Sequence, residues 1–284
     1  MLIDAFRSHS PHYSWRAAIT AYLACALGIF FLCQPGLKSM AHQWFTSSAY
    51  GHGALAAPIA LGLILWRRNH VKNERPALWL AALPLLAGAA ALSGLGRALD
   101  AQLVEHLAIV FLLITSAACY FGRRITRQWA FPLLFLFFMV PAGESLTPFL
   151  QRLTAIATTA LLNIGGLSAT LNDLVITTNS GLFHIAEGCS GLRFLLAALV
   201  TGSLFSYYAY DRWDHRLTFL AAAISIALIA NIFRVALIIL IAAISGQNSP
   251  LVNDHLMVGW VFYAATLTAL IVLGLRFRAG ASHA

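Results

Sequence analysis

Long apolar runs alternate with short basic connections along this chain. Runs rich in Leu, Ala, Ile, Val and Phe cover about residues 17–34, 53–66, 77–95, 102–121, 129–145, 190–209, 217–245 and 256–275. Several exceed, and the rest approach, the roughly 17 residues that a helix needs to cross a bilayer. The pattern predicts an all-α fold, a polytopic membrane helical bundle of about eight transmembrane helices. One stretch departs from it. Val175-Ile176-Thr177-Thr178 and Leu182-Phe183-His184-Ile185, separated by Asn179-Ser180-Gly181, alternate as strands do and read as a short β-hairpin. This hairpin-like segment, 168–188, is expected outside the membrane. No internal repeat or low-complexity linker is visible, so residues 1–284 read as a single integral membrane domain.

Composition excludes the other broad classes. The chain is 60% hydrophobic and 10% charged, with a mean hydropathy of +0.78, whereas soluble domains carry about 25% charged residues. The net charge of +8 needs sorting before it can be interpreted. Arg7, Arg16, Arg67, Arg68, Lys72, Arg75, Arg123, Arg124, Arg127, Arg212, Arg216, Arg276 and Arg278 fall at one set of helix ends, 13 of the 18 basic residues. Lys38, Arg97, Arg152, Arg193 and Arg234 lie on the other side or within the membrane. The excess marks the cytoplasmic side, so both termini are expected there and no nucleic-acid partner is implied. The stretch 146–166 complicates the count. Gln151, Arg152, Thr154, Thr158, Thr159 and Asn163 interrupt its leucines, which favours an interfacial or re-entrant helix over a ninth crossing.

Cys25, Cys33 and Cys119 lie in apolar runs and read as inert buried thiols, and no spacing suggests a disulfide framework or a zinc site. Cys189 differs. In Glu187-Gly188-Cys189-Ser190-Gly191-Leu192-Arg193 it sits between glycines at the start of an apolar helix. There the helix dipole, with Arg193 one turn on, favours a thiolate. The competing account is an ordinary helix start with Ser190 as the cap and an incidental cysteine. Arg234, in Asn231-Ile232-Phe233-Arg234, lies about 26 Å along its helix from Leu217, near the outer face. An arginine there is costly unless it lines a polar cavity, which Asn231 at i−3 would share, or snorkels to the interface. Asn253-Asp254-His255 precedes the last apolar run, again on the outer side. It supplies either a proton shuttle in His255 or a simple cap in Asp254. The charge-derived orientation thus puts a thiol, a guanidinium and an imidazole on one side: a nucleophile, an oxyanion stabiliser and an acid/base, the parts of an acyl-transfer site.

At these residues the chain resembles the exosortase/archaeosortase family of membrane cysteine transpeptidases. The matching elements are Glu187-Gly188-Cys189-Ser190-Gly191-Leu192-Arg193, Asn231-Ile232-Phe233-Arg234, and Asp254-His255 followed by Gly259-Trp260. Gly51-His52-Gly53, Pro58 and Trp66-Arg67-Arg68 add an earlier match, and the resemblance runs over residues 45–275. His255 in the third position favours the bacterial branch. The resemblance implies a protease or transpeptidase of the cell inner membrane with its active site on the periplasmic side. Its substrates would be exported proteins ending in a PEP-CTERM-like tail: a Pro-Glu-Pro-like motif, a membrane helix and a basic cluster. Cys189, Arg234 and His255 would be catalytic, with Glu187, Ser190, Gly191, Arg193, Asn231 and Asp254 supporting them or binding substrate. Cys189 would form an acyl-thioester; Arg234 and His255 would divide oxyanion stabilisation and proton transfer in either order. An association with exopolysaccharide production is implied as well, and no metal or cofactor is. Two alternatives compete: a transporter whose path Arg234 and His255 line, and a thiol-dependent acyltransferase acting on lipid or polysaccharide.

Overall fold

The Ser14 hydroxyl accepts a hydrogen bond from Ala17 N (3.2 Å) and so caps the first long helix, α1, Trp15–Leu32. The computed structural model describes the backbone of residues 13–245 and 255–281, and the side chains of residues 13–244, 259 and 261–276. The chain divides into two compact units, Met1–Ala142 and Gly143–Ala284.

In the first unit α1 is followed by α2 (Gln34–Thr46), α3 (Gly53–Trp66), α4 (Leu83–Ala98), α5 (Gln102–Gln128) and the short α6 (Ala130–Phe135). The apolar pattern does not predict α2, whose sequence is mostly polar. Its Leu37, Met40 and Trp44 nonetheless recur at helical spacing and pack with Ile29, Ile109 and Leu112. Helices α4 and α5 lie close together: a Cβ at Gly96 would come within 2.7 Å of Glu105 N. Beside that contact Arg97 pairs with Glu105 at 3.2 Å, and its other hydrogen bond, 2.8 Å to Leu32 O, satisfies a carbonyl at the end of α1. Helix α5 is interrupted at Gly122 (φ 83°), one residue past the expected end of its apolar run.

The second unit contains α7 (Thr147–Ile164), three strands, α8 (Leu192–Ala209), α9 (Trp213–Ser245) and α10 (His255–Ala281). The expected hairpin is present as β2 (Val175–Thr178) and β3 (Gly181–His184), joined antiparallel with Ile176 opposite Phe183. A further strand, β1 (Ala169–Asn172), extends it to a three-stranded meander. Ile176 faces inward onto Ala155, Leu162 and Ile185, while Asn163 clips β1 to α7 by bonding both Ala169 N and Ala169 O at 2.9 Å. Of the six polar residues that interrupt the leucines of 146–166, Gln151, Thr154 and Thr158 turn inward and are buried, whereas Arg152 and Asn163 are exposed.

By length and apolarity, five described helical segments suffice to cross a membrane: Trp15–Leu32, Leu80–Ala98, Gln102–Gln128, Leu192–Ala209 and Trp213–Ile244. Gly53–Trp66 and Val261–Arg276 are apolar but shorter. The expected run 129–145 breaks after Met139, where Pro141 and Gly143 (φ 121°) stop the helix, so Ala130–Met139 and Glu144–Ile164 qualify only if taken together. Large apolar side chains remain exposed along the helices, among them Leu23, Leu27 and Phe31 on α1. Faces of this kind are solvated by lipid, and the molecule is a helical membrane bundle.

Candidate active site

Between β3 and α8 the backbone makes one tight excursion. Glu187–Cys189 forms a single 3₁₀ turn, closed by hydrogen bonds from Cys189 N to Ala186 O (2.8 Å) and from Ser190 N to Glu187 O (3.0 Å). Gly191 follows with φ 90°, and a Cβ there would lie 2.7 Å from Asn231 Nδ2. Both the conformation and the space demand glycine at 191. Gly188, by contrast, is exposed and has room for a side chain. Ser190 stands one residue before the helix cap; its hydroxyl still accepts a hydrogen bond from Leu192 N at 3.3 Å. The Cys189 thiol is half-buried and rests against the apolar cluster under the meander.

Four buried side chains hold this turn by its carbonyl oxygens. Gln151 Nε2 donates to Ile185 O (2.9 Å), Arg234 Nη2 to Gly188 O (3.3 Å), Asn231 Nδ2 to Cys189 O (3.0 Å) and Thr154 Oγ1 to Ser190 O (3.2 Å). Asn231 Nδ2 also donates to Thr154 Oγ1 (3.2 Å), tying the two helices that carry the set. Gln151 and Thr154 are three residues apart on α7, and Asn231 and Arg234 three apart on α9. Each pair therefore shares one face of its helix. Loop carbonyls buried without donors would each cost about 1–3 kcal/mol, so these bonds fix the turn in one conformation.

Arg234 is the most unusual member. It is 6% exposed, and its guanidinium lies 5.4 Å from the centre of the Phe194 ring. Position 259 on α10 approaches so closely that a Cβ there would be 3.1 Å from Arg234 Nη1. Thus the Cys189 turn, the Asn231–Arg234 segment and Gly259 converge on one guanidinium. Cys189 and Arg193 both lie close enough to interact with it electrostatically. Among the described residues no carboxylate pairs with Arg234, and Arg234 Nε and Asn231 Oδ1 have no hydrogen-bond partner. A buried cation so placed favours negative charge beside it, whether a thiolate or an oxyanion.

The remaining candidates are distributed differently. Glu187 contributes its carbonyl to the turn, but its side chain is exposed and makes no ion pair among the described residues. Arg193 is half-buried in the first turn of α8. Asp254 lies outside the described residues; His255 is the first residue of α10, with its side chain outside them. In the sequence Gln151 and Thr154 point to an interfacial or re-entrant helix rather than to a site. Their signal was the i, i+3, i+7 spacing of Gln151, Thr154 and Thr158, one polar stripe on a helix. In the first unit, Gly53 fits closely against the Trp44 indole, which donates to Met139 O at 2.7 Å. Burial lowers the pKa of the neighbouring His52 below that of an ordinary histidine.

Neither a curated protein nor a solved structure matches this chain. The transmembrane exosortase family matches residues 44–272, most of the sequence and all three converging segments, and the chain belongs to that family.

Proposed function

We propose that this protein is a membrane cysteine peptidase or transpeptidase that cleaves the membrane-anchored C-terminal tails of exported proteins at a PEP-CTERM-like motif. The observation that carries the reading is the donor set around Cys189: four buried side chains immobilise the turn, and one of them is a guanidinium with no carboxylate partner among the described residues. That arrangement suits a nucleophile presented beside a site for developing negative charge. The distribution of basic residues supports cytoplasmic termini and a site on the opposite face, and family membership supports residence in the cell inner membrane with that face periplasmic.

In this scheme the Cys189 sulfur attacks the scissile carbonyl carbon and the carbonyl electrons move onto oxygen. Arg234, with the fixed donor fork of a guanidinium, is suited to hold that oxyanion. Collapse re-forms the carbonyl, breaks the C–N bond and leaves an acyl-thioester on Cys189. The departing amine, carrying the membrane helix of the tail, takes a proton. His255 is suited to remove the thiol proton and return it to that amine, since an imidazole exchanges protons near neutral pH. Water or an acceptor amine then attacks the thioester and regenerates the thiol. Asn231, Thr154 and Gln151 act as positioning residues, through the loop carbonyls they bind.

The test uses the full chain in membranes with an exported substrate bearing such a tail. Rapid acid quenching followed by mass spectrometry is expected to find the substrate acyl group on Cys189, and Cys189→Ala is expected to abolish both the adduct and tail release. A lipid or polysaccharide acyl group on Cys189 would replace this reading with that of an acyltransferase. Undiminished tail release by Cys189→Ala would overturn it.

A further inference from the structure

The first unit has a second polar feature that the proposed chemistry does not use. A cavity of about 490 Å³ opens where the connection 73–79 crosses the Gly122 break of α5. Arg75, Arg123 and Arg124 line it together with Asn73, Trp79 and a single carboxylate, Glu74. Glu74 pairs with Arg124 at 3.8 Å. Among the described residues no acidic side chain pairs with Arg75 or Arg123, both of which are exposed. The lining therefore holds two uncompensated guanidinium groups over aromatic walls, Trp79 and Phe121.

The cavity is built into the backbone. At Gly122, with φ 83°, a Cβ would lie 2.7 Å from Ala77 O, so only glycine lets the connection lie against the helix break. Three hydrogen bonds hold the connection in place: Trp79 N to Cys119 O (3.0 Å), Tyr13 N to Pro76 O (3.2 Å) and Trp15 Nε1 to Glu74 O (3.2 Å). A preformed site loses less on binding than one that must first be ordered.

Its depth in the membrane is marked by aromatic residues. The rings of Trp15, Phe121 and Trp129 cluster with centroids 5.2–6.1 Å apart, at the level where the apolar run of α5 gives way to Arg123 and Arg124. Tryptophans concentrate at the headgroup layer. The anion abundant at that depth is the phosphodiester of a phospholipid, and guanidinium forks match phosphate oxygens in pairs.

We propose that this cavity binds the phosphate headgroup of an anionic phospholipid, held by Arg75 and Arg123. Arginines retained only for topology would attract any anionic surface equally; a built site discriminates by position. The experiment uses the full-length purified protein in detergent, with phosphatidylglycerol, phosphatidylcholine and inorganic phosphate as separate probes. Retained lipid is counted by native mass spectrometry, and affinity is read from thermal shifts.

Phosphatidylglycerol is expected to bind and stabilise, phosphatidylcholine and inorganic phosphate much less. Arg75→Gln/Arg123→Gln is expected to weaken phosphatidylglycerol binding about 30-fold, taking about 1 kcal/mol for each arginine. Arg276→Gln, an exposed arginine elsewhere, is expected to leave it unchanged. Glu74→Gln removes the one carboxylate of the lining and is expected to tighten binding, a gain that misfolding cannot imitate. Equal binding of the two lipids, or an Arg276→Gln effect as large as that of the double variant, would overturn the proposal. Inorganic phosphate binding as tightly as phosphatidylglycerol would overturn the lipid assignment.

Discussion

Two arginines, one in each unit, meet the membrane interior in opposite ways. Arg97 is nearly half exposed (45% for its side chain), pairs with the buried Glu105 at 3.2 Å and also caps α1 at Leu32 O. Its charge is answered by a carboxylate, and its bonds join α1, α4 and α5. Arg234 is 6% exposed, and among the described residues it donates to the Gly188 carbonyl, lies against the Phe194 ring and stands next to a thiol. Burying a cation costs several kcal/mol of desolvation, and among the described residues no acid offsets that cost at Arg234. Under the proposed function, the contrast separates an arginine that holds helices together from one that would answer a charge appearing during reaction.

Substitution can break that contrast. The largest expected effect is on tail release by Arg234→Lys. It should fall about 100- to 1,000-fold, since an ammonium cannot reproduce the guanidinium fork, while the melting temperature changes by only a few degrees. Tail-release kinetics and thermal unfolding of one preparation check both halves. Full activity, or unfolding in place of inactivity, would erase the distinction between the two arginines.

A smaller effect is expected at Asn231. Asn231→Leu removes the donor to Cys189 O and Thr154, which should lower tail release about 10- to 100-fold, equivalent to the 1–3 kcal/mol of an unanswered buried carbonyl. If Asn231 positions the turn, the rate of Cys189 alkylation by a small electrophile should change as well; an unchanged alkylation rate with lost tail release would assign it to the substrate instead.

Smallest, and opposite in kind, is Arg97→Ala. It leaves Glu105 buried without its partner and should destabilise the fold by about 1–2 kcal/mol, discounted for the exposure of Arg97. Activity per folded molecule should stay the same. Thermal unfolding and specific activity, measured together, decide it: a stable but inactive variant would place Arg97 with Arg234.

Much of this fold was legible in the chain. The run 53–66 coincides with α3, and 102–121 ends one residue before the Gly122 break. Those signals are local: apolar length, and glycine where a helix stops. Less visible were α2 and β1. Helix α2 carries only the stripe Leu37, Met40, Trp44 in a polar sequence, and β1 is four residues long and acquires its identity by pairing with β2. The apolar run at 129–145 overstated a helix that Pro141 and Gly143 stop. In the candidate site, Cys189, Asn231 and Arg234 stood out as reactive or polar groups in apolar surroundings. Gln151 and Thr154 did not, because the same polarity suits a membrane interface.

The sequence by itself determined that the chain lives in a membrane, where most of its helices run, and which short segments carry chemistry-bearing residues. Those properties follow from composition and spacing along one dimension. Only the tertiary structure decided that Gln151 and Thr154 from α7 meet Asn231 and Arg234 from α9 around the Cys189 turn, and that position 191 must be glycine. Which donor reaches which carbonyl depends on how two helices pack side by side whose bonded residues, Thr154 and Asn231, lie 77 positions apart in the chain. No local preference encodes that; the need to satisfy every buried polar group enforces it.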